Sequence, residues 1–266
     1  MELSIIVINY NNSAGLERTL GSIELQENCS SNRFNVLVVD GASKDNSLEI
    51  VEHYKDSFEM KIISEPDKGI YDAMNKGLDN VEESSATHFV FLNSGDIFSS
   101  EKSLATIFTH ASSCSSVTFF RVKNVYKNSY NYRPHSKKSR VFNLGIPNGF
   151  FPCHQSVVCP VGLLGKLRFD DELKISADTK FLNELFSDNR TRYVSECVVN
   201  FELGGVSSYY NNFHHYLTHA REKNLINPKS TFLARRKVYL YGFLKYLVGK
   251  LLGKDCYFLI YLGVKK

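Results

Sequence analysis

Four short apolar runs in the first hundred residues predict buried β-strands. They lie at residues 3–8, 34–39, 60–63 and 89–92. Each run is nearly continuous rather than alternating, which is typical of strands that are covered on both faces. The pattern therefore predicts a β-sheet whose two faces are both covered by other parts of the chain.

Apolar residues recur at helical spacing between these runs. The clearest repeat consists of Ile70, Ala73, Met74, Gly77 and Leu78. Weaker repeats surround Leu16, before the second run, and Val51, before the third. Strands that alternate with helices indicate βαβ units. We therefore predict an α/β fold with a mostly parallel central sheet and helices on both faces.

Polar residues gather directly after each predicted strand. They occupy positions 9–12, 40–43, 65–69 and 93–96. Asn, Asp, Ser and Gly favour turns, so each loop alone could be an ordinary turn. In a parallel sheet, however, ligands bind beyond the carboxyl ends of the strands. Four polar loops at one sheet edge predict a shared binding crevice.

The ordered motifs resemble those of the family 2 glycosyltransferases, which have the nucleotide-sugar-binding GT-A fold. They are SIIVINYN at 4–11, VVDGAS at 38–43, EPDKGIYDAMNKG at 65–77, LNSGD at 92–96, HQS at 154–156, SAD at 176–178 and GGVS at 204–207. Their order is similar to that of the colanic-acid and O-antigen type of bacterial enzyme. The resemblance covers roughly residues 2–208.

The resemblance implies a role for five residues in donor binding. Tyr10 would stack on the nucleobase, and Asp40 would accept a hydrogen bond from the base N–H, which favours uracil. Asp67 and Asn75 would help to hold the nucleotide or sugar. Asp96 would bind Mn²⁺ or Mg²⁺ against the diphosphate. The alternatives are a packing ring for Tyr10, a helix cap for Asp40 and a solvated turn for Asp67.

The metal motif departs from the family pattern, which usually shows two or three carboxylates. Here Asn93, Ser94 and Gly95 precede Asp96, so only one carboxylate carries over. Mg²⁺ usually keeps several waters and shares its ligands with substrate phosphates. We therefore expect a metal that arrives with the nucleotide-sugar.

Asp178 is the expected catalytic base. Apolar residues after it predict a helix that starts nearby, so a capping role is the structural alternative. The resemblance implies that Asp178 takes the proton of the acceptor hydroxyl in an inverting displacement. His154 and Gln155 would contact the acceptor or the pyrophosphate, although a buried structural histidine is equally consistent. Asp170, Asp171 and Glu172 are nearby competitors in a solvated acidic cluster.

The implied function is transfer of a hexose or N-acetylhexosamine from a UDP-sugar to a polyprenyl-diphosphate-linked saccharide, in bacterial surface polysaccharide biosynthesis. A non-catalytic nucleotide-sugar-binding subunit and a sugar nucleotidyltransferase remain as alternatives. The latter would need a glycine-rich basic loop after the first strand, where this chain is asparagine-rich. A dinucleotide oxidoreductase is excluded because Gly-x-Gly-x-x-Gly is absent. We expect no nucleic-acid partner.

Basic residues are concentrated at the carboxyl end. We predict a catalytic domain at 1–231, with a nucleotide-sugar half at 1–100 and an acceptor half at 101–231, and a basic amphipathic tail at 232–266.

The whole chain has a net charge of +4, whereas the tail holds eight basic residues against Asp255 alone. Its apolar runs are too short to span a bilayer. The tail is expected to dock on an anionic membrane, at the cytoplasmic face of the bacterial inner membrane. A helix packed on the catalytic domain is the alternative.

Three further features complete the expectations. The six cysteines are scattered without a Cys-x-x-Cys pair, and the start of the chain lacks a secretory pattern, so we expect free thiols in a reducing cytosol. The basic, polar stretch at 123–140 is expected to be a mobile loop. His214, His215 and His219 are expected to form a solvated helical face rather than a metal site.

Overall fold

A mixed sheet with helices on both faces runs through the protein. The computed structural model describes residues 1–27, 33–113, 115–133, 152–204, 209–210, 212–227 and 231–263. The strands within these residues are β1 (Glu2–Asn9), β2 (Arg33–Asp40), β3 (Met60–Ser64), β4 (His88–Phe91), β5 (Ile97–Phe98), β6 (Val117–Tyr126), β7 (Ser129–Arg133), β8 (Val157–Pro160) and β9 (Thr191–Glu202).

The sheet has the order β3-β2-β1-β4-β8-β6-β9-β5, and β7 pairs with β6. The first four strands along this order are parallel to one another. The register places Asn9, the last residue of β1, opposite Asp40, the last residue of β2. Several predicted loops therefore leave the sheet at one edge. Strands β8, β5 and β7 add antiparallel pairs.

The helices cover the two faces separately. They are α1 (Ser13–Glu24), α2 (Ser47–Tyr54), α3 (Ile70–Glu82), α4 (Ser103–His110), α5 (Ala177–Asp188), α6 (Phe213–Ile226) and α7 (Phe232–Leu262). Ile6 and Ile8 of β1 pack with α3 and α5, whereas Ile5 and Val7 pack with α1, α2 and α4. Because alternate side chains of a strand point to opposite faces, β1 is apolar throughout.

Strand β3 differs from the expectation of burial on both faces. It lies at the edge of the sheet, and three of its five residues are exposed. An edge strand lacks a neighbour on one side, and Lys61 on β3 is a charge of the kind that protects such edges.

The predicted mobile loop is wrong for residues 123–133, which belong to the β6–β7 hairpin. The ammonium group of Lys123 lies 4.1 Å from the ring centre of Tyr130, and the guanidinium of Arg121 lies 4.4 Å from that of Tyr132. These cross-strand cation–π contacts stabilise a segment whose composition is typical of a loop. Residues 134–140 lie outside the described part of the chain.

The C-terminal helix α7 has two parts, joined by a kink at Gly253, where φ is 78°. Tyr257, Phe258 and Leu262 of the second part are buried in a cluster with Leu203. The first part lies along α6. Within the described residues, we find no helix with the length and apolarity that a membrane span requires.

The expected solvated histidine face on α6 is wrong at His219. This residue is buried, and its Nδ1 atom lies 2.7 Å from the hydroxyl of Tyr210. The three-residue spacing from Tyr216 places His219 on the side of α6 that packs inward.

Candidate active site

A hydrogen-bond network centred on Asn9 joins two of the predicted loops. The Asn9 amide donates to Asp40 at 2.8 Å and to Ser47 at 2.9 Å, and its carbonyl accepts from the Ser94 hydroxyl at 2.8 Å. Asn9 is 1% exposed, so it acts as an internal brace. Sequence reasoning gave it no separate role, although it follows β1 directly.

Asp40 is enclosed by hydrogen-bond donors. Its carboxylate accepts from Asn9, from both the hydroxyl and the N–H of Ser43, and from the hydroxyl of Ser64. Burial raises the pKa of Asp40, but these hydrogen bonds outweigh it and hold the pKa below its usual value. A carboxylate has about four acceptor positions, so a contact with a nucleobase would require one donor to turn away.

Tyr10 and Asp67 flank the backbone of Gly41. A side chain at Gly41 would meet the Asp67 carboxylate at 2.3 Å and the Tyr10 ring at 3.0 Å. The Tyr10 side chain is 65% exposed, and Asp67 accepts a hydrogen bond from the N–H of Gly69 at 2.8 Å. The structure thus brings Tyr10, Asp40 and Asp67 together at the ends of β1, β2 and β3. The exposed Tyr10 ring has a free surface for stacking.

Asn75 lies in α3 and is engaged elsewhere. Its amide group donates to the carbonyl of Phe169 at 2.9 Å, and its carbonyl accepts from the N–H of the same residue at 2.8 Å. Because the Asn75 side chain binds both the N–H and the carbonyl of Phe169, it fixes the position of the segment before α5. The contact that the structure shows for Asn75 is structural, and the expected contact with the donor stays a prediction.

Asp96 is buried where β4, β5 and β9 approach one another. Its carboxylate accepts from the Gln155 amide at 2.7 Å and from the N–H of Glu202 at 3.2 Å. Burial raises the pKa of Asp96 to about 7, although both hydrogen bonds lower it. Two of about four acceptor positions remain on this carboxylate.

The surroundings of Asp96 fit a divalent cation that is shared with a diphosphate. Among the described residues, no group of three or more His, Cys, Asp or Glu side chains could hold a metal alone. The buried side-chain oxygen (Oδ1) of Asn93 has no hydrogen-bond partner within the same residues. Carboxylate and amide oxygens are ligands that Mg²⁺ and Mn²⁺ accept. Asp96 and Asn93 would therefore supply part of the coordination, and a diphosphate the rest.

Asp178 lies in the first turn of α5, as predicted. Its carboxylate lies 3.7 Å from Nδ1 of His154 and accepts from the N–H of Thr179 at 2.7 Å. Burial raises the pKa of Asp178, but His154 and the Thr179 N–H outweigh it and hold the pKa below its usual value. The carboxylate is therefore ionised at neutral pH, with 29% of the side chain exposed.

One short turn links the two carboxylates. His154–Ser156 form a single 3₁₀ turn before β8. Gln155 contacts Asp96, while His154 lies beside Asp178 and also contacts the Asn93 amide at 3.3 Å. The structure places His154 and Gln155 between the loop that carries Asp96 and the start of α5. Their expected contact with the acceptor or the pyrophosphate stays a prediction.

Arg18 and Glu202 form an ion pair at the rim of this site, at 2.7 Å. Both side chains are more than half exposed, and both lie 3.8 Å from the position of a side chain at Gly95. Sequence reasoning missed them because α1 and β9 are far apart in the chain. In the GGVS motif, Gly204 adopts a φ of 137°, whereas residues 205–207 lie outside the described part of the chain.

Polar loops lie at the carboxyl edge of the parallel strands, which is where α/β proteins bind their ligands. A buried carboxylate, Asp96, lies beside them, and a second carboxylate, Asp178, lies at the start of α5. The model of the glycosyl transferase family 2 matches residues 4–166. The chain belongs to this family, and it is an enzyme, a glycosyltransferase.

Curated relatives agree with this family. A PGL/p-HBAD biosynthesis glycosyltransferase of Mycobacterium bovis is 29% identical over 216 residues, which cover 77% of this chain and 78% of the relative. The validoxylamine A glucosyltransferase of Streptomyces hygroscopicus is 30% identical over 111 residues, or 41% of this chain and 25% of the relative.

Solved structures confirm the predicted α/β fold of GT-A type. S. aureus TarS 1-349 superposes with a TM-score of 0.67 at 21% identity, covering 94% of this chain and 72% of that one. Its complex with UDP-GlcNAc gives a TM-score of 0.65 at 21% identity, with 94% and 73% covered. The mannosyltransferase PcManGT of Pyrobaculum calidifontis, in complex with GDP-Man and Mn²⁺, gives 0.58 at 14% identity, with 99% and 76% covered.

Proposed function

We propose that this glycosyltransferase moves a hexose or N-acetylhexosamine from a UDP-sugar to a lipid-diphosphate-linked saccharide, with inversion at the anomeric carbon. The observation that carries the proposal is the turn at residues 154–156, which contacts Asp96 on one side and lies beside Asp178 on the other. A donor site and a base are thereby held next to each other.

The donor nucleotide would lie across the ends of β1, β2 and β3. The exposed ring of Tyr10 offers a stacking surface, and Asp67 lies beside it across Gly41. Asp40 holds the loop through four donors and would reach the base only after Ser43 or Ser64 turned away. The UDP-GlcNAc complex of TarS supports a UDP-sugar, whereas the PcManGT complex shows that this fold also accepts GDP-Man.

Asp96 and Asn93 would hold Mn²⁺ or Mg²⁺ against the donor diphosphate. A bound cation of this kind supplies charge stabilisation to the departing nucleoside diphosphate. Gln155 orients the Asp96 carboxylate, and Arg18 at the rim lies where a guanidinium could meet a phosphate.

Asp178 would act as the base. It is ionised at neutral pH, partly exposed and held at the start of α5. Its carboxylate takes the proton of the acceptor hydroxyl while the hydroxyl oxygen bonds to the anomeric carbon, and UDP leaves from the opposite face. His154 would orient Asp178 and stabilise its negative charge.

The acceptor would reach this base at a membrane surface. The exposed side chains of the first part of α7 include Phe232, Leu233, Arg235, Arg236 and Lys237. Exposed apolar rings beside cations suit an anionic lipid surface, such as the cytoplasmic face of the bacterial inner membrane. We therefore keep the division into a catalytic domain at 1–231 and a membrane-docking tail at 232–266, with the buried end of α7 as its anchor.

The test is a screen of nucleotide-sugars with Mn²⁺ against an N-acetylglucosamine-diphosphate-lipid analogue, with product mass and released nucleotide measured together. A glycosylated product with free UDP is the expected result. Release of pyrophosphate would identify a nucleotidyltransferase. Tight donor binding without turnover on any acceptor would identify a binding subunit.

A further inference from the structure

A buried carboxylate outside the proposed site contacts the segment that leads into α5. Glu222 of α6 is 5% exposed. Its carboxylate accepts hydrogen bonds from the N–H groups of Lys174 at 2.7 Å, Ile175 at 3.0 Å and Ser176 at 2.9 Å. Three successive backbone donors converge on one anion, and hydrogen bonds to a charged acceptor are the strong ones.

The start of α5 lacks a side-chain cap. Ser176 occupies the N-cap position, but it makes no side-chain cap bond, and its buried hydroxyl has no partner among the described residues. The four N–H groups at the start of a helix need acceptors, and an anion there is favoured by the helix dipole. Glu222 supplies that negative charge just before α5 from a different helix.

The segment that Glu222 binds ends two residues before Asp178. The hydroxyl of Tyr71 in α3 lies near the N–H groups of Ala177 and Asp178. The backbone that leads to Asp178 therefore runs between α3 and α6, and Glu222 fixes it through three hydrogen bonds.

We infer that Glu222 is a positioning residue for the base: it holds residues 174–176 so that the Asp178 carboxylate stays beside His154 and open to the acceptor. The inference rests on the proposed role of Asp178. Glu222 lies outside the proposed donor and acceptor contacts, and it acts only through the backbone that it binds. Because the Tyr216 hydroxyl of α6 also donates to the carbonyl of Tyr239 in α7 at 2.9 Å, the same brace connects the C-terminal helices to the base.

The experiment compares Glu222→Gln with Glu184→Gln, which removes an exposed carboxylate from α5 itself. The isosteric amide keeps one acceptor oxygen but loses the charge and directs an N–H towards the backbone donors. We expect kcat to fall by about 10- to 100-fold, less than the 10²- to 10⁴-fold that removal of a general base costs, because the base is displaced and not removed. KM for the donor and the Kd of UDP should stay within about threefold. The control should match the wild type.

The pH profile supplies a second readout. Asp178 is faced by His154, His219 and the hydroxyl of Tyr71, and Glu222 lies behind its backbone. A displaced carboxylate would lose the His154 contact that lowers its pKa, so the acid limb of kcat should move to higher pH in Glu222→Gln. A residue with only a structural role would lower the melting temperature without moving that limb.

Three outcomes decide the inference. It is overturned if Glu222→Gln keeps the kcat and acid limb of the wild type while Asp178→Asn loses turnover. It is also overturned if UDP affinity falls as much as kcat, because the donor site would then be damaged too. If Asp178→Asn itself keeps full turnover, the proposed function fails first. Glu222→Asp keeps the charge but moves the carboxylate away from the backbone donors, because its side chain is shorter. It should lose less kcat than Glu222→Gln, and it replaces Glu222→Gln in the test if that variant does not fold.

Discussion

The side-chain amide of Gln155 donates a 2.7 Å hydrogen bond to the carboxylate of Asp96. This bond joins a loop at the end of β4 to a turn that is about sixty residues later in the chain. The same turn carries His154, which lies beside Asp178. The positions of the Asp96 and Asp178 carboxylates therefore depend on one three-residue element.

The first prediction concerns the metal. Asp96→Asn should abolish metal-dependent transfer and weaken the binding of UDP in the presence of Mn²⁺, because a neutral amide binds a divalent cation far less well than a carboxylate does. Calorimetric titration of UDP with Mn²⁺, and again with chelator, measures the effect. Asp56→Asn, at an exposed position after α2, is the control. Undiminished turnover of the wild type in chelator would contradict the role of Asp96.

The second prediction concerns the base. Asp178→Asn should lower kcat by about 10²- to 10⁴-fold, the usual range for a general base, while the Kd of UDP stays close to that of the wild type. The change is isosteric, and Asp188→Asn at the other end of α5 is the matched control. An equal loss of UDP affinity would instead assign Asp178 to the donor site or to folding.

The third prediction is a shift of the pH profile. Burial raises the pKa of Asp178. The contacts with His154 and with the Thr179 N–H lower it, and together they outweigh burial. His219 and the hydroxyl of Tyr71 are the other titratable groups that face Asp178. His154→Phe removes the main lowering contact, so the pKa should rise and kcat should fall at a higher pH on the acid side. A profile that matches the wild type would show that His154 does not act on Asp178.

The fourth prediction separates scaffold from nucleotide contact. Asp40→Asn directs an N–H towards at least one of the four donors, and loss of a buried charged acceptor should lower the free energy of unfolding by about 2–3 kcal/mol at neutral pH. Tyr10→Ala, at a 65% exposed ring, should leave stability unchanged and weaken UDP binding about tenfold. Denaturant unfolding and UDP titration on both variants test the distinction.

The stability difference at Asp40 should also depend on pH. The folded-state pKa of Asp40 is below its usual value, so its stabilisation is present above the unfolded pKa of about 4 and is lost as pH falls through the folded pKa. The wild type and Asp40→Asn should therefore converge in stability at acid pH. A constant difference would show that the carboxylate charge is not what stabilises the loop.

The sequence was informative where local pattern determines structure. Runs of apolar residues and helical repeats located the first four strands and α1 to α3, because burial on two faces leaves a clear signal. The predicted helix start near Asp178 agrees with α5, which begins at Ala177, and it followed from the apolar residues after Asp178. The edge exposure of β3 was not predicted, since an edge position depends on which strand pairs beyond it.

Contacts between distant segments could not be predicted. Asn75 lies in a motif that suggests a site role, but its side chain bonds to the backbone of Phe169, 94 residues later. Glu222 lies in a helix without a recognised motif, and its three donors precede α5. In the sequence these positions are only an asparagine and a glutamate within helices, and both residue types are common on helix surfaces. Only the fold shows that both are engaged in the interior.

The last prediction concerns the C-terminal helix. Arg235, Arg236 and Lys237 are exposed, and so are Leu251 and Leu252 on the same helix before the kink. Each basic residue near an anionic surface contributes about 1 kcal/mol, and salt screens that attraction within a Debye length. The wild type should therefore bind vesicles that contain anionic lipid at low salt and lose most of the binding as salt rises. Cosedimentation with anionic and with neutral vesicles measures this.

The three cations of this region give the sharpest variant. Replacing Arg235, Arg236 and Lys237 with Gln should release the protein from anionic vesicles, while transfer to a short, water-soluble acceptor stays unchanged. The charge-matched control replaces Lys102, Lys166 and Arg190, which are exposed on other parts of the protein. Because Tyr257 and Phe258 anchor the far end of α7 in the apolar cluster, the fold should survive either set of changes. If the control variant is released equally, net charge rather than α7 determines binding. If the wild type does not bind anionic vesicles at low salt, α7 is a structural cover for the catalytic domain.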